Sequence, residues 1–203
     1  MSVAIGTSES VDLLLPRWEE TSATEYVDQL IELMISRGST FYDDEVTQLE
    51  HALQGAFLAD RANDAEHAIA AALLHDIGHL LVHEHSSDSG FLQSDLEHEA
   101  IGARWLETRF PPSVTQPIAE HVRAKRYLCT VDENYWSRLS RASQYSFELQ
   151  GGALSLKELE LFESHPAFRD AVTLRWRDEA AKVAGRDVPP LETYRSLLES
   201  LVV

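Results

Sequence analysis

The chain contains one cysteine, Cys129, among 203 residues. No intrachain disulfide framework can form, and a lone thiol fits a reducing compartment. A nucleophilic role for Cys129 is the lesser reading of that residue. Long apolar runs are also missing, since nothing approaches the roughly 20 residues that span a bilayer. The opening residues, MSVAIGTSES, lack the basic segment and apolar core of an export signal, so the expected location is the cytoplasm, with no membrane partner. Basic residues are scarce: 17 Lys and Arg face 34 Asp and Glu, for a formal charge of −17. Nucleic-acid affinity comes mainly from neutralised phosphates, so nucleic acid is not an expected partner. A small anionic ligand is not excluded. Exposed charge is screened beyond about 8 Å at physiological salt, and a local basic pocket can prevail. Convincing period-two alternation, internal repeats, low-complexity tracts and interdomain linkers are absent as well.

What is present is helical periodicity over nearly the whole length. A hydrophobic content of 44% and a charged content of 25% are ordinary for a globular domain, and the length suffices for a real core. Ser22-x-x-Glu25 reads as a capping box opening a helix with Tyr26, Leu30, Leu33 and Met34 on one face, closed by Gly38. Residues 39–44 link it to a helix striped by Val46, Leu49, Leu53, Ala56 and Phe57, with His51 off the stripe. A third helix runs from about Asp64 to Leu74. Residues 83–95 are polar and Gly/Ser-rich, as in a surface loop. Helices follow at 96–108, 115–127, 135–148, 155–163 (from a second capping box, Ser155-x-x-Glu158) and 166–183, with a last one after Pro189-Pro190. The expected architecture is all-α, one helical domain over residues 1–203. Residues 1–40 form an N-terminal helical extension and 41–203 the core.

The nine histidines carry more information than the net charge. The run LLHDIGHLL, residues 73–81, places His75, Asp76 and His79 among leucines, where unpaired polar groups are costly to bury. An imidazole beside a carboxylate suits iron, zinc or manganese. Further candidate ligands lie on separate helices: His51 upstream, His98 and His121 downstream, and Asp178 in LRWRDE. One histidine in a helix is more often a hydrogen-bonded core or surface residue than a ligand. Six such groups, one per helix apart from the His75-Asp76 pair, are harder to set aside. They supply four nitrogens and two carboxylates, enough for two metals with open positions. His75 and His79 also stand at i, i+4, a bidentate spacing that Gly78 leaves uncertain.

The order His51, His75-Asp76, His98, His121, Asp178 resembles the HD-domain superfamily. The simple members need only H…HD…D, and the two extra histidines point to its two-metal branch of phosphodiesterases and mixed-valence di-iron oxygenases. The stretches QLEHALQ (48–54), AALLHDIGH (71–79), HVRAKRYL (121–128), SFELQGG (146–152) and RWRDEAAK (175–182) resemble oxygenases that cleave 2-amino-1-hydroxyethylphosphonate, over about residue 41 to the C-terminus. The resemblance implies an HD helical bundle. It implies two irons, Fe(II)/Fe(III), the first held by His51, His75, Asp76 and Asp178. The second is completed by His98 and His121, with Asp76 bridging. It also implies phosphonate contacts from His79, Lys125, Ser143, Ser146 and Arg175. Lys125 lies one turn past His121 and Arg175 at i−3 from Asp178, so each shares a face with a ligand candidate. Two cations and two hydroxyls suit a tetrahedral dianion, although any one of them alone reads as an ordinary surface or helix residue.

The implied reaction uses dioxygen to break the C–P bond of a 1-hydroxyphosphonate, giving phosphate and a carboxylate. An upstream hydroxylase would supply the substrate. The far end of that substrate falls to residues 41–44, FYDD. Asp44 is the counterpart of the family's amine-binding glutamate, and Tyr42, or Phe41 if the register slips by one, of its tyrosine. An aspartate is a methylene shorter, and aromatic faces attract quaternary ammonium by about 0.5–2 kcal/mol. The expected substrate is therefore 1-hydroxy-2-(trimethylammonio)ethylphosphonate, giving glycine betaine, with the primary amine, giving glycine, close behind. FYDD also reads as a helix-start loop with Asp as N-cap. The rival activities are a metal-dependent HD phosphohydrolase, which needs no dioxygen, and a non-enzymatic helical binding module with a degenerate site.

Overall fold

A computed structural model of the chain describes residues 21–42, 45–82 and 97–203. Asp44, the 83–95 stretch and the first half of the N-terminal extension, residues 1–20, lie outside the described residues. Among the described residues the regular elements are all helical. The β contact there is an isolated antiparallel bridge between Phe41 and Thr47. This is the all-α architecture expected from periodicity.

Helix α1 (Ala23–Arg37) starts at Ser22, whose hydroxyl accepts the Glu25 N–H while the Glu25 carboxylate accepts the Ser22 N–H. That reciprocal cap was legible in sequence. Tyr26, Leu30, Leu33 and Met34 form its buried face. Helix α2 (Gln48–Arg61) opens on the same device, built from Thr47 and Glu50. It is buried on two sides, so its single predicted stripe is incomplete. Leu53 and Ala56 enter the apolar core, while His51, Gln54 and Gly55 are buried as well and Phe57 is only half-buried. A Cβ on Gly55 would lie 3.0 Å from the Ala72 carbonyl oxygen of α3 (Glu66–Leu74), so a bare glycine lets these two helices close together.

The chain then leaves helical geometry at Asp76, with φ −100° and ψ 14°, before α4 (Ile77–Leu81). Downstream come α5 (His98–Leu106), α6 (Pro112–Val131), α7 (Tyr135–Arg138), α8 (Arg141–Leu149), α9 (Leu156–Glu163), α10 (Phe168–Ala180), a 3-10 turn (Leu191–Tyr194) and α11 (Arg195–Leu201). Helix α6 is longer than its apolar pattern suggested because Pro112 stands at its first position, where a missing N–H costs nothing. The helix expected over 135–148 is two: Leu139 and Ser140 are extended, and the Ser140 hydroxyl caps α8 by accepting the Ser143 N–H. Helix α6 packs against α10, α5 and α3. Tyr26, Met34, Leu73, Leu106, Phe110, Ile118 and Leu198 belong to one apolar cluster. Each contributes about 1.5–3 kcal/mol by leaving water. Among the described residues no helix is long and apolar enough to cross a membrane. On the inner side of α2, α3, α6 and α10 the core turns polar.

Candidate metal centre

Four residues predicted as ligands meet first. The Nε2 atoms of His51 and His75 face each other at 3.1 Å. Asp178 Oδ1 lies 3.3 Å from the first and 3.9 Å from the second, and Asp76 Oδ2 lies 3.4 Å from each. Both imidazoles are fully buried. Their other nitrogens are committed: His51 Nδ1 is 3.0 Å from the Ala181 carbonyl and His75 Nδ1 is 2.9 Å from the Ala72 carbonyl. A carbonyl only accepts, so Nδ1 carries the proton in each ring and Nε2 is the lone-pair nitrogen. Two lone pairs aimed at each other at this distance repel unless positive charge lies between them. Asp178 Oδ1 adds to this, being buried without a hydrogen-bond donor. Burial alone would lower the pKa of His51, but Asp178 and Asp76 hold it up at about 9, so a proton takes the Nε2 lone pair whenever no other cation sits between these groups. The cluster attracts a cation, and its donors are those of a metal site.

A second group shares the other oxygen of Asp76. His98 Nε2 is 3.5 Å and His121 Nε2 3.7 Å from Asp76 Oδ1, and the two nitrogens are 3.2 Å apart. His121 Nδ1 donates to the Ile118 carbonyl at 2.7 Å, and His98 Nδ1 faces Glu99 Oε2 at 3.4 Å, so here too Nε2 points inward. Burial, with His98 and His75 beside it, keeps His121 well below the usual imidazole range and therefore neutral. Burial pushes the Asp76 carboxyl up, but His75, His51 and His98 hold it well below the usual carboxylate range. His79 stacks on His98 with ring centroids 3.9 Å apart, and its Nε2 is 3.9 Å from Asp76 Oδ1. His51, His75 and Asp76 form one group of donor atoms close enough for a single ion; Asp76, His79 and His98 form another. The approach of α5 depends on Gly78, where a Cβ would lie 2.0 Å from the His98 carbonyl oxygen.

Of the predicted anion-binding residues, His79 lies at the second group, while Lys125, Ser143, Ser146 and Arg175 gather on the Asp178 side of the first. Lys125 Nζ donates to Ser146 Oγ at 2.8 Å. Burial, with Arg175 and Lys182 nearby, pulls Lys125 down to about 7. Ser143 lies one turn from Ser146 on α8, and its hydroxyl takes a 3.1 Å bond from Lys182 Nζ. Arg175 is committed in three directions. Its Nε donates to Tyr135 Oη at 2.9 Å, Nη1 to Asp178 Oδ2 and Nη2 to Glu179 Oε2. It therefore turns Asp178 so that Oδ1 points at the histidines. Burial raises the Asp178 carboxyl, but Arg175 and Lys182 hold it well below its ordinary value.

Tyr42 stacks on His51 with centroids 4.0 Å apart and an interplanar angle of 16°. Phe41, the alternative register, is 61% exposed and faces solvent, which corrects that option. Four residues went unrecognised in the sequence: Lys182, Glu179, Tyr135 and Gln54. Gln54 donates to the Val183 carbonyl at 2.9 Å and accepts the Val183 N–H at 3.1 Å. It clamps the chain after α10 so that Ala181 meets His51 and Lys182 meets Asp178. Its i, i+3 spacing from His51 was the available signal.

The pattern of the HD domain family matches residues 49–155, more than half of the chain. A hydroxymethylphosphonate dioxygenase of Gimesia maris is 51% identical over 126 residues, covering 62% of this chain and 63% of that protein. A [1-hydroxy-2-(trimethylamino)ethyl]phosphonate dioxygenase (glycine-betaine-forming) of Leisingera caerulea is 40% identical over 132 residues, covering 63% and 65%. The uncharacterized protein L432 of Acanthamoeba polyphaga mimivirus is 36% identical over 126 residues, covering 61% and 57%. The chain thus spans somewhat under two thirds of the length of these relatives. The family pattern runs through His51, His75 and Asp76, α10 brings Asp178 beside them, and the chain belongs to the HD domain family.

Proposed function

We propose that this protein is a di-iron dioxygenase that breaks the C–P bond of a 1-hydroxyphosphonate, releasing phosphate and oxidising C1 to a carboxylate. The observation that carries the reading is the division of the Asp76 carboxylate, one oxygen toward His51 and His75 and the other toward His98 and His121. His51, His75, Asp76 and Asp178 would hold one iron, and His98, His121 and Asp76 the other. Bound iron would supply the redox chemistry with dioxygen that the side chains lack.

The protein's part is binding and orientation. Lys125, Ser143 and Ser146 would take the phosphonate oxygens, with His79 closing the pocket from the α4 side. Arg175 would hold Asp178 and add positive charge. Lys125, near 7 when the pocket is empty, would be drawn to its charged form by a dianion. Tyr42 covers His51 and would shield the centre from bulk water.

Hydroxymethylphosphonate is the favoured substrate, giving formate and phosphate. Two points support it: the 51% identity to an enzyme named for it, and Lys182 Nζ already lying 5.4 Å from the Tyr42 ring centroid. A cationic substituent approaching that ring would meet like charge. The trimethylammonio substrate is the second reading, supported by the 40% identical relative and the aromatic ring itself. The deciding experiment incubates iron-loaded protein with each compound, with and without oxygen, and reads phosphate and the organic product. Phosphate and formate formed only with oxygen are expected. Phosphate released equally without oxygen would point to the hydrolase instead, and no release from either compound would end the proposal.

A further inference from the structure

One partly buried acid beside the anion pocket, its side chain 11% exposed, has no part in the scheme above. Glu179 follows Asp178 on α10, and its two oxygens face different elements. Oε1 accepts the Ser140 backbone N–H at 3.2 Å, at the first residue of the α8 cap. Oε2 accepts from Lys182 Nζ at 2.9 Å and from Arg175 Nη2. Lys182 in turn donates to Ser143 Oγ, and Ser140 Oγ lies 3.1 Å from Ser143 Oγ. Both serines of the anion pocket ride on α8. That helix is anchored by Phe147 against Trp136 of neighbouring α7. Among the described residues two polar links join it to the α10 end that bears Asp178: Glu179 accepts the Ser140 N–H, and Lys182, itself held by Glu179 and 3.5 Å from Asp178 Oδ1, donates to Ser143.

We propose that Glu179 is a positioning residue that holds α8, and with it the Ser143 and Ser146 hydroxyls, in register with Asp178. The inference rests on the phosphonate reading and adds to it the group that sets the pocket's geometry. Charge alone argues for the opposite. A carboxylate beside a dianion site repels the ligand, so a Glu179 that served only as counter-ion to Arg175 and Lys182 would tighten phosphonate binding when neutralised. A Glu179 that sets geometry would weaken it. In glutamine one of the two oxygens becomes an NH2 donor, facing either the Ser140 N–H or the two cations. One side of the link is lost whichever way the amide turns.

The test uses the full chain loaded with iron under anaerobic conditions. The probe is methylphosphonate, which lacks the C1 hydroxyl, with its dissociation constant measured by calorimetry. Glu179→Gln is expected to weaken binding on the order of tenfold, the worth of about one charge-assisted hydrogen bond, with bound iron unchanged. In turnover, KM should rise by a similar factor and kcat should change far less. Glu179→Asp keeps the charge but is too short to span both sides, so it should weaken binding too, whereas a counter-ion role predicts wild-type affinity. Binding by Glu179→Gln that is equal to or tighter than wild type would overturn the proposal. So would Glu179→Asp at wild-type affinity, which decides the matter should the glutamine variant fail to fold. If wild type itself does not bind methylphosphonate, the phosphonate reading falls and this inference falls with it. If wild type binds and both variants match it, only this inference falls.

Discussion

Gly78→Ala should uncouple the two halves of the metal centre. The added methyl would lie 2.0 Å from the His98 carbonyl oxygen, 2.7 Å from its carbon and 3.0 Å from its Cα. All three are backbone atoms, so no rotamer change relieves the clash. Ordinary contact begins at 3.4 Å, so α4 and the first turn of α5 must part by about 1.4 Å. Overpacking of this kind costs roughly 1–3 kcal/mol. Helix propensity returns at most about 1 kcal/mol of that. The net loss of up to about 2 kcal/mol should lower Tm by up to about 8 °C in a chain of this size. The local effect is larger. Metal–ligand distances tolerate about 0.2 Å, and His98 would be displaced by several times that amount, while His51, His75 and Asp178 stay in place. The expected variant folds, retains iron at the first group and loses it at the second, falling from about two equivalents to about one. Elemental analysis with thermal unfolding measures both. Two equivalents together with a wild-type Tm would refute the steric argument.

Four further outcomes are expected. His121→Ala should lose about one equivalent of metal and Asp76→Ala more than either histidine group alone, because Asp76 serves both; equal losses in the two variants would contradict the bridging role. Lys125→Met should keep its iron and raise KM about tenfold, and a wild-type KM would remove Lys125 from the pocket. Lys125 also carries a pH signature. Burial lowers it from 10.5 to about 7, so the folded chain binds fewer protons than the unfolded one between those values. The contribution of Lys125 to stability therefore rises with pH across that window, and Lys125→Met should flatten this part of the stability profile measured by urea unfolding. Thr47→Ala removes the cap that starts α2 one turn before His51 and should cost about 1 kcal/mol, read as a Tm about 2–4 °C lower.

The helices legible in the sequence were those with local signals. Ser22-Glu25 and Ser155-Glu158 announced their caps, and Thr47-Glu50 carried the same signal unread. The six ligand candidates were legible because histidines are conspicuous among leucines, and Asp76 sits where helical geometry is interrupted. What stayed hidden depends on contacts far apart in sequence. Lys182 and Glu179 look like charges at an exposed helix end, yet folding against α8 and residue 42 buries them. The break at Leu139–Ser140 gave way to helical periodicity on either side, and Gln54 looked like an ordinary polar helix residue until Val183 returned to meet it.

The central claim is that one carboxylate, Asp76, joins two metal sites. Anomalous diffraction from crystals of the iron-loaded protein tests it directly. The account predicts two iron peaks, one between Asp76 Oδ2 and the His51–His75 pair and one between Asp76 Oδ1 and the His98–His121 pair. A single peak, or peaks away from Asp76, would contradict it.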